Sequence, residues 1–462
     1  GAVQAHGALL VVHASHGRIE AASESCARWL GRPATTLLGQ TLQDVLGAAT
    51  AVALLAPDTG APSDLHAQAL ADGPAVLRAS RNGTGQVLVD IEAGSTDAPG
   101  LLLACRRHLR SLRPLDDLQH LTGAAATAVQ AMTGFDRVMV YRFDDDWNGE
   151  VLAEACVDGL EPFLGLHYPA SDIPRQAREL FVHARVRLIP DLDYVPSALV
   201  ARGNAQAIDL GLSSLRSVSP LHVAYCRNMG VGATLVGSLV VDGRLWGLVS
   251  CHHRVARGCP PAERDAIGGF CEDLATLIEA LQQRHRLQRL GELAARRQHL
   301  VQVVRRVDFS TLLQGADAHD LLGAVNADGF ALRIGDGTLN VGHTPSAARI
   351  TQLLQRLDTM GAAHGLYATE ALGRDLGVDE VDDGVAGALF VSLQTQPTVT
   401  LAWFRNERSQ AVRWGGNPDQ AHQRHDDGHI SPRQSFKAFL RLVRGRALPW
   451  TADERASAGE LG

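Results

Sequence analysis

The chain has 462 residues, 45% hydrophobic and 20% charged, which is length for about three domains and the balance of a globular chain rather than a disordered one. A formal net charge of −7 gives no general attraction to nucleic-acid phosphates or acidic lipid. No apolar run reaches the roughly 20 residues that cross a bilayer; the best, residues 231–251, is broken by Asp242 and Arg244.

In chain order, the first hundred residues read as a small α/β unit. Residues 8–13 (ALLVVH), 76–79 (VLRA) and 87–91 (VLVDI) are short apolar strands, and 101–105 (LLLAC) is expected to close the set. Residues 21–30 and 41–47 carry helical spacing. The basic segment 106–115 ends just past Arg113 and Pro114, a boundary signal. An alanine-rich amphipathic helix over 118–132 then opens a second unit. Residues 137–143 (RVMVYRF) alternate and are rich in β-branched and aromatic side chains, hence a strand, and 151–156 follow after a polar turn. Segments 234–241 and 245–251 form a hairpin about Asp242 and Gly243, a favoured turn dipeptide. Between these strand groups lies a long irregular stretch, 159–229, and long loops inside compact domains usually carry function.

From 262 to 307 the pattern is helical almost without interruption. Leu274, Leu277, Leu281, Leu287, Leu290, Leu293, Leu300, Val304 and Val307 recur at three- and four-residue steps, with occasional skips. At about 1.5 Å per residue such a helix runs some 60 Å or more, a connecting spine or a dimer seam. The third unit has strands at 330–334, 337–341 and 386–393 and a helix over 346–360. Residues 398–404 and 411–414 read as facing strands, 435–444 as a helix, and the chain ends in a charged, alanine-rich helix start. The seven cysteines (Cys26, Cys105, Cys156, Cys226, Cys251, Cys259, Cys271) are scattered and odd in number. They read as reduced thiols of a cytoplasmic protein, with neither a disulfide frame nor a structural zinc.

Nucleotide signatures fail, with no GxxxxGK[ST] and no GxGxxG after a strand. His252 and His253 invite a metal reading, but neighbours on a strand face opposite ways and do not readily share an ion. Ser219, His222 and Asp172 lack the strained elbow of a nucleophile triad. What remains is a cluster in the irregular stretch. Residues 169–174 (PASDIP) set Asp172 between two prolines that fix the backbone; Arg187, Arg216, Ser219, His222 and Tyr225 follow. Each alone has a bland surface reading. Together they suit a large conjugated acid: arginine forks for carboxylates, aromatics for a flat ring system, an Asp/His pair for its protons.

On these residues the chain resembles the photosensory core of the bacteriophytochromes. Four ordered motifs carry the likeness: residues 1–10 (GAVQAHGALL), PASDIP, residues 216–230 (RSVSPLHVAYCRNMG), and the pair WGG at 414–416 with PRQSF at 432–436. The resemblance implies an α+β chain of PAS (1–112), GAF (113–285) and PHY (286–462) domains, each an antiparallel sheet with flanking helices, joined by a long helical spine. It also implies a tongue hairpin over about 404–436. An N-terminal figure-of-eight knot is implied too, with Val3 threading a loop from about Pro190 to Ser214.

The implied cofactor is biliverdin IXα. Asp172, through its backbone carbonyl, and the ring of His222 would surround the pyrrole nitrogens. Arg187 and Arg216 would hold one propionate, with Ser219 and Thr234 at the other side of the propionate region. His252 would sit beside the D-ring carbonyl, and Met139, Tyr141, Tyr168 and Tyr225 would wall that ring; Ile173, Pro174 and Phe181 belong to the same pocket. In the tongue, marked by Trp414, Arg433 is expected to pair with Asp172 in the red-absorbing state and Ser435 to replace it in the far-red-absorbing state. By the same resemblance the chain forms a homodimer through the spine, binds neither membrane nor nucleic acid, and has no catalytic centre or metal. It signals to a C-terminal output module, most often a histidine kinase with a response regulator as its partner.

The chain departs from the pattern in three places. The attachment cysteine of the family lies upstream of a motif that here begins at Gly1, so it is not in this sequence, and a missing leading segment is expected. Leu221 holds the alternative attachment place before His222. Phe181 stands for a common tyrosine, and Leu166 for a residue that is often polar. Two rivals remain: a GAF-type cyclic-nucleotide or haem sensor, and a bilin-processing or hydrolytic enzyme using Asp172 and His222.

Overall fold

The computed structural model describes residues 1–56, 62–94, 98–202, 208–304, 318–335, 337–361, 365–377, 384–393, 398–408, 410–418, 422–424, 430–432 and 435–461. They form two compact units, Gly1–Leu281 with Arg413–Phe439, and Gln282–Val412 with Leu440–Gly462.

The first unit contains two large sheets and a two-stranded one, His422–Arg424 with Ile430–Pro432. In the first, strands run in the order Ala2–Val3, Ser197–Ala201, Ile19–Ser23, Ala8–His13, Gln86–Ala93, Gly73–Arg81, His66–Leu70, each pairing antiparallel with its neighbour. Residues 8–12 are apolar throughout because both faces of that strand are covered. Ala8, Leu10 and Val12 pack with Trp29, Leu37 and Leu42 on one side, while Leu9 and Val11 meet Val3, Leu199 and Leu215 on the other. The N-terminal segment is flanked on both edges: Val3 pairs with Ser197 and bridges to Arg216, and Gln4 N donates to Leu215 O at 2.7 Å.

Two expectations fail here. Residues 101–105 are not a strand but lie inside the helix Ala98–Leu112. Leucine, alanine and arginine are good helix formers and no β-branched residue interrupts them. Cys105, Leu109 and Leu112 supply the buried stripe and leave Leu102 and Leu103 exposed. Residues 21–23 belong to the strand Ile19–Ser23, and the helix begins only at Cys26.

The second sheet starts with Val186–Ile189, Ala233–Val241, Arg244–His253, Arg137–Phe143, Gly149–Cys156 and His167–Tyr168. The strand Gln410–Gly415 then joins it, Trp414 pairing in parallel with His167. The hairpin turns at Asp242 and Gly243, both at positive φ. Residues 159–229 are less irregular than expected. Helices Arg175–His183 and Pro220–Asn228 and strands Val186–Ile189 and Ser197–Ala201 interrupt them.

The spine is one helix, Pro261–Val304, followed by residues outside the described set. In the second unit the sheet order is Gly337–Gly342, Gly329–Ile334, Val399–Asn406, Val385–Leu393, Gly365–Thr369. Ser346 caps the helix Ala347–Thr359, which buries Ile350, Leu353 and Leu357. The strand Val399–Asn406 has both edges taken, by Gly329–Ile334 and Val385–Leu393, and Trp414 pairs with His167, so the two strands expected to face each other do not. The helix expected over 435–444 is instead the strand Ala438–Val443. Gly416 N donates to Lys437 O at 3.0 Å just ahead of it, a cross-strand partner that the local pattern does not name. No described helix is long and apolar enough to cross a membrane.

Candidate functional site

Side chains alternate across a strand, so register decides which residues of the second sheet share a face. Leu188, Leu235, Cys251 and Val138 stand opposite one another. They join the core made with the helix Leu118–Thr133 and the first part of the long helix. The alternate residues form the other face. Arg187 lies across from Val236, Val236 from Ser250, and Ser250 from Met139. One step along, Thr234 lies across from His252 and His252 from Arg137, while Tyr141 faces Leu248. Arg187, Thr234, His252, Met139 and Tyr141 thus share one surface, though 113 positions separate Met139 from His252.

Opposite this face stands the helix Pro220–Asn228. Ser219 caps it, accepting from Leu221 N at 3.3 Å, with Pro220 preset for the first turn. Helical spacing puts His222, Tyr225 and Cys226 on one side. The Tyr225 hydroxyl donates to Asp172 Oδ2 at 2.9 Å, and Cys226 Sγ lies 3.6 Å from His222 Nε2. Asp172 is held in its turn by its own N–H, which donates to Pro169 O at 2.9 Å. Pro174 is the N-cap of Arg175–His183.

His222 is exposed by surface area, yet burial pushes its imidazole below the ordinary value. Burial, helped by the charges of Arg137 and His222, pushes His252 down to about 3, so both rings are neutral at pH 7. Burial and the neighbouring Arg216 charge bring Arg187 down to about 10, still protonated at neutral pH. It donates to the carbonyls of Ser213 (2.8 Å) and Arg216 (3.4 Å). Burial lowers Arg216 as well, against the pull of Asp209. Burial first, and the Asp172 charge second, raise Tyr225 well above 10, so its hydroxyl remains a donor. Among the described residues, His252 Nδ1 and Arg216 Nε are buried without a hydrogen-bond partner, a state that folded proteins rarely tolerate unless something else completes it.

Aromatic rings line the same region. Tyr141 and Tyr168 lie 6.1 Å apart and tilted, and Phe436 meets the edge of Tyr225 at 4.9 Å. Ile173 and Phe181 pack against the cluster of Met139, Tyr141 and Tyr168. Gly149 and Gly415 make room: a Cβ at Gly415 would lie 2.6 Å from the Tyr168 ring, and one at Gly149 would collide with Tyr141. A cavity of about 270 Å³ adjoins, lined by Phe163, Met229, His252, Arg254, Phe436 and Lys437 among others. The strand Ile430–Pro432 lies against the helix Pro220–Asn228. Arg433 falls outside the described residues, and Ser435 is exposed.

Sequence reasoning passed over Leu248, Phe163, Met229 and Phe436 as wall residues. Alternation from His252 would have found Leu248. Phe163 carries no local signal; its ring is placed by the Arg137 guanidinium 3.6 Å away, whose ion pair with Glu154 is buried. Among the described residues no group of three or more His, Cys, Asp or Glu could hold a metal ion.

Three family models match: a PAS fold over residues 1–86, a GAF domain over 117–281 and the phytochrome region over 293–462. A bacteriophytochrome of Xanthomonas campestris is 37% identical, the alignment covering all of this chain and 76% of that protein. The phytochrome-like protein Cph1 of Synechocystis is 34% identical over 99% of this chain and 63% of its own length. This chain therefore spans about two thirds to three quarters of these relatives. Among solved structures, the bacteriophytochrome RpBphP3 of R. palustris gives a TM-score of 0.86 at 33% identity, covering all of this chain and 95% of that one. The photosensory core module of the Stigmatella aurantiaca phytochrome gives 0.84 at 34%, covering 100% and 94%.

Proposed function

This chain belongs to the phytochrome family, and on that footing we propose that it is a red/far-red sensor that holds biliverdin IXα on the polar and aromatic face of its second sheet. The observation that carries the reading is the pair of buried nitrogens left without a partner, His252 Nδ1 and Arg216 Nε. With the aromatic lining of Tyr141, Tyr168 and Tyr225 they fit a long conjugated ligand with two carboxylates.

When bound, biliverdin supplies the absorption of visible light and a double bond whose isomerisation turns its D ring. The chain's own residues bind and orient it. Arg187 and Arg216 hold one propionate, and Ser219 and Thr234 bond the other side of the propionate region. The carbonyl of Asp172 and the neutral ring of His222 surround the pyrrole nitrogens. His252 stands beside the D-ring carbonyl, while Met139, Tyr141, Tyr168 and Tyr225, with Ile173, Pro174 and Phe181, exclude water.

The remaining parts follow the same reading. The PAS, GAF and PHY domains extend over 1–112, 113–285 and 286–462, and Val3, flanked on both edges, threads a knot. The tongue exchanges Arg433 for Ser435 at Asp172, two packings of one segment biased by a local change of hydrogen bonding. The long helix is the seam of a cytoplasmic homodimer. The output is a histidine kinase module that acts on a response regulator.

The test is an absorption spectrum of protein co-expressed with a biliverdin source, before and after red and far-red illumination. Reversible red and far-red bands are expected; their absence with pigment available overturns the reading in favour of a nucleotide or haem sensor. Zinc fluorescence on a denaturing gel then separates attached from non-covalent pigment.

A further inference from the structure

The turn that carries Asp172 is gripped from outside the pocket. On the helix Arg175–His183, Arg178 donates Nη1 to Ile173 O at 2.7 Å and to Ala170 O at 3.3 Å. Asn148 Oδ1 accepts from Ala170 N at 3.2 Å. Residues on both sides of Asp172 are thereby pinned, the same side chain holding two carbonyls. Its guanidinium lies 4.6 Å from the centre of the Trp147 ring, and the Arg244 guanidinium lies 4.7 Å from the same ring. A guanidinium stacked on an aromatic ring is held in plane as well as in place.

Trp147 occupies the left-handed backbone region at φ +65°, a conformation that bulky residues rarely adopt and that persists only where surroundings over-determine it. Its surroundings do so. Asn148 donates its N–H to Asp144 Oδ1 at 2.8 Å and its amide to Oδ2 at 3.1 Å, Trp147 N donates to Asp144 O at 3.1 Å, and Phe143 meets the indole edge. A turn built at such expense of conformation offers the indole as a shelf for Arg178.

We propose that Trp147 and Arg178 are positioning residues for Asp172, forming a clamp that fixes the turn against which the tongue switches. The clamp acts through Asp172 and touches no ligand. It rests on the light-sensor reading above.

The experiment uses the whole chain loaded with biliverdin and follows thermal reversion of the photoproduct. Arg178→Met keeps the apolar stem but frees both carbonyls, and Trp147→Ala removes the shelf. Each should speed reversion about tenfold, the weight of one charge-assisted contact. The double variant should be no faster than either single, because both act through one clamp. Trp147→Phe keeps a ring and should restore the parent rate to within about twofold, a rescue that a general loss of stability would not give. Should Trp147→Ala fail to fold, Arg178→Lys decides, since it keeps the charge and loses the fork. Rates unchanged in a parent that photoconverts overturn the clamp alone, as do effects that multiply in the double variant. A parent with pigment available and no reversible bands overturns the sensor reading, and the clamp with it.

Discussion

Two groups of titratable side chains lie in the first unit. Around Asp90 and Glu92, Ser213 Oγ donates to Asp90 Oδ1 (2.6 Å) and Ser214 N and Oγ to Oδ2 (2.7 and 2.9 Å). Arg264 donates Nη2 to Glu92 Oε1 (2.5 Å) and Nη1 to Oε2 (2.8 Å), with His6 Nε2 at 3.2 Å. Both oxygens of each carboxylate are bonded, by partners from the N-terminal segment, residues 213–214 and the start of the long helix. Around His222 and His252, by contrast, His252 Nδ1 and Arg216 Nε are left over. The first group is completed by the chain itself; the second waits on something outside it. They are also joined: Ser213, bonded to Asp90, offers its carbonyl to Arg187, so the finished network backs the unfinished one.

Removing one partner from the finished group should have the largest effect. Arg264→Met leaves the Glu92 carboxylate buried without its fork, and breaking a buried pair in this way costs about 3–5 kcal/mol. Urea unfolding of the chromophore-free protein measures it; a loss under about 1 kcal/mol would mean that His6 and Ser214 suffice to hold the charge.

Acid should separate the two groups next. An unfolded histidine takes its proton near 6.5, while the His252 ring refuses one until about 3. Between those values the unfolded chain binds more protons, so this ring's stability is present above 6.5 and lost as pH falls towards 3. Asp90 has the opposite sign. Burial, with the nearby Glu92 charge, pushes it up to about 6, so its contribution grows as pH falls from 6 towards 4. His252→Gln should therefore flatten the acid limb of stability, by about 3 kcal/mol after allowing for a ring partly open to the cavity. Asp90→Asn should steepen it. Denaturant midpoints in the chromophore-free protein between pH 7 and pH 4 check both, and identical limbs in the two variants would erase the distinction.

How much of this was legible in the sequence depends on how local the cause is. Arg137–Phe143 alternates and the hairpin turns on Asp242 and Gly243, so both were readable to within a residue or two. The leucines of 101–105 were not, because an apolar run of five does not declare its period, and the buried stripe of its helix appears only with Leu109 and Leu112. Residues 435–444 misled in the same way: what decides them is a partner segment that the local pattern does not name. In the pocket, Asp172, His222 and Tyr225 stood out as residue types, and the family likeness drew Met139, Thr234 and His252 to them. Register then puts those three on the face that carries Arg187. Asp90 and Glu92 gave no sign of a network, because their partners lie 86 to 172 positions away. Trp147 gave no sign of its backbone conformation.

The smallest effect is expected at the joint of pocket and turn. The Tyr225 hydroxyl donates to the Asp172 carboxylate at 2.9 Å, and it is not lost to ionisation, since burial and that same carboxylate raise it well above 10. Tyr225→Phe takes away this one donor and leaves the ring, its edge contact with Phe436 and its helix in place. A hydrogen bond to a charged group is worth about 1.5–3 kcal/mol when fully shielded. Asp172 is only half-buried, so the loss in the chromophore-free protein should be about 1 kcal/mol. An equal cost in an Asp172→Asn background would mean that the hydroxyl serves the packing of the helix rather than the charge of Asp172. The turn would then owe its place to the Arg178 side alone.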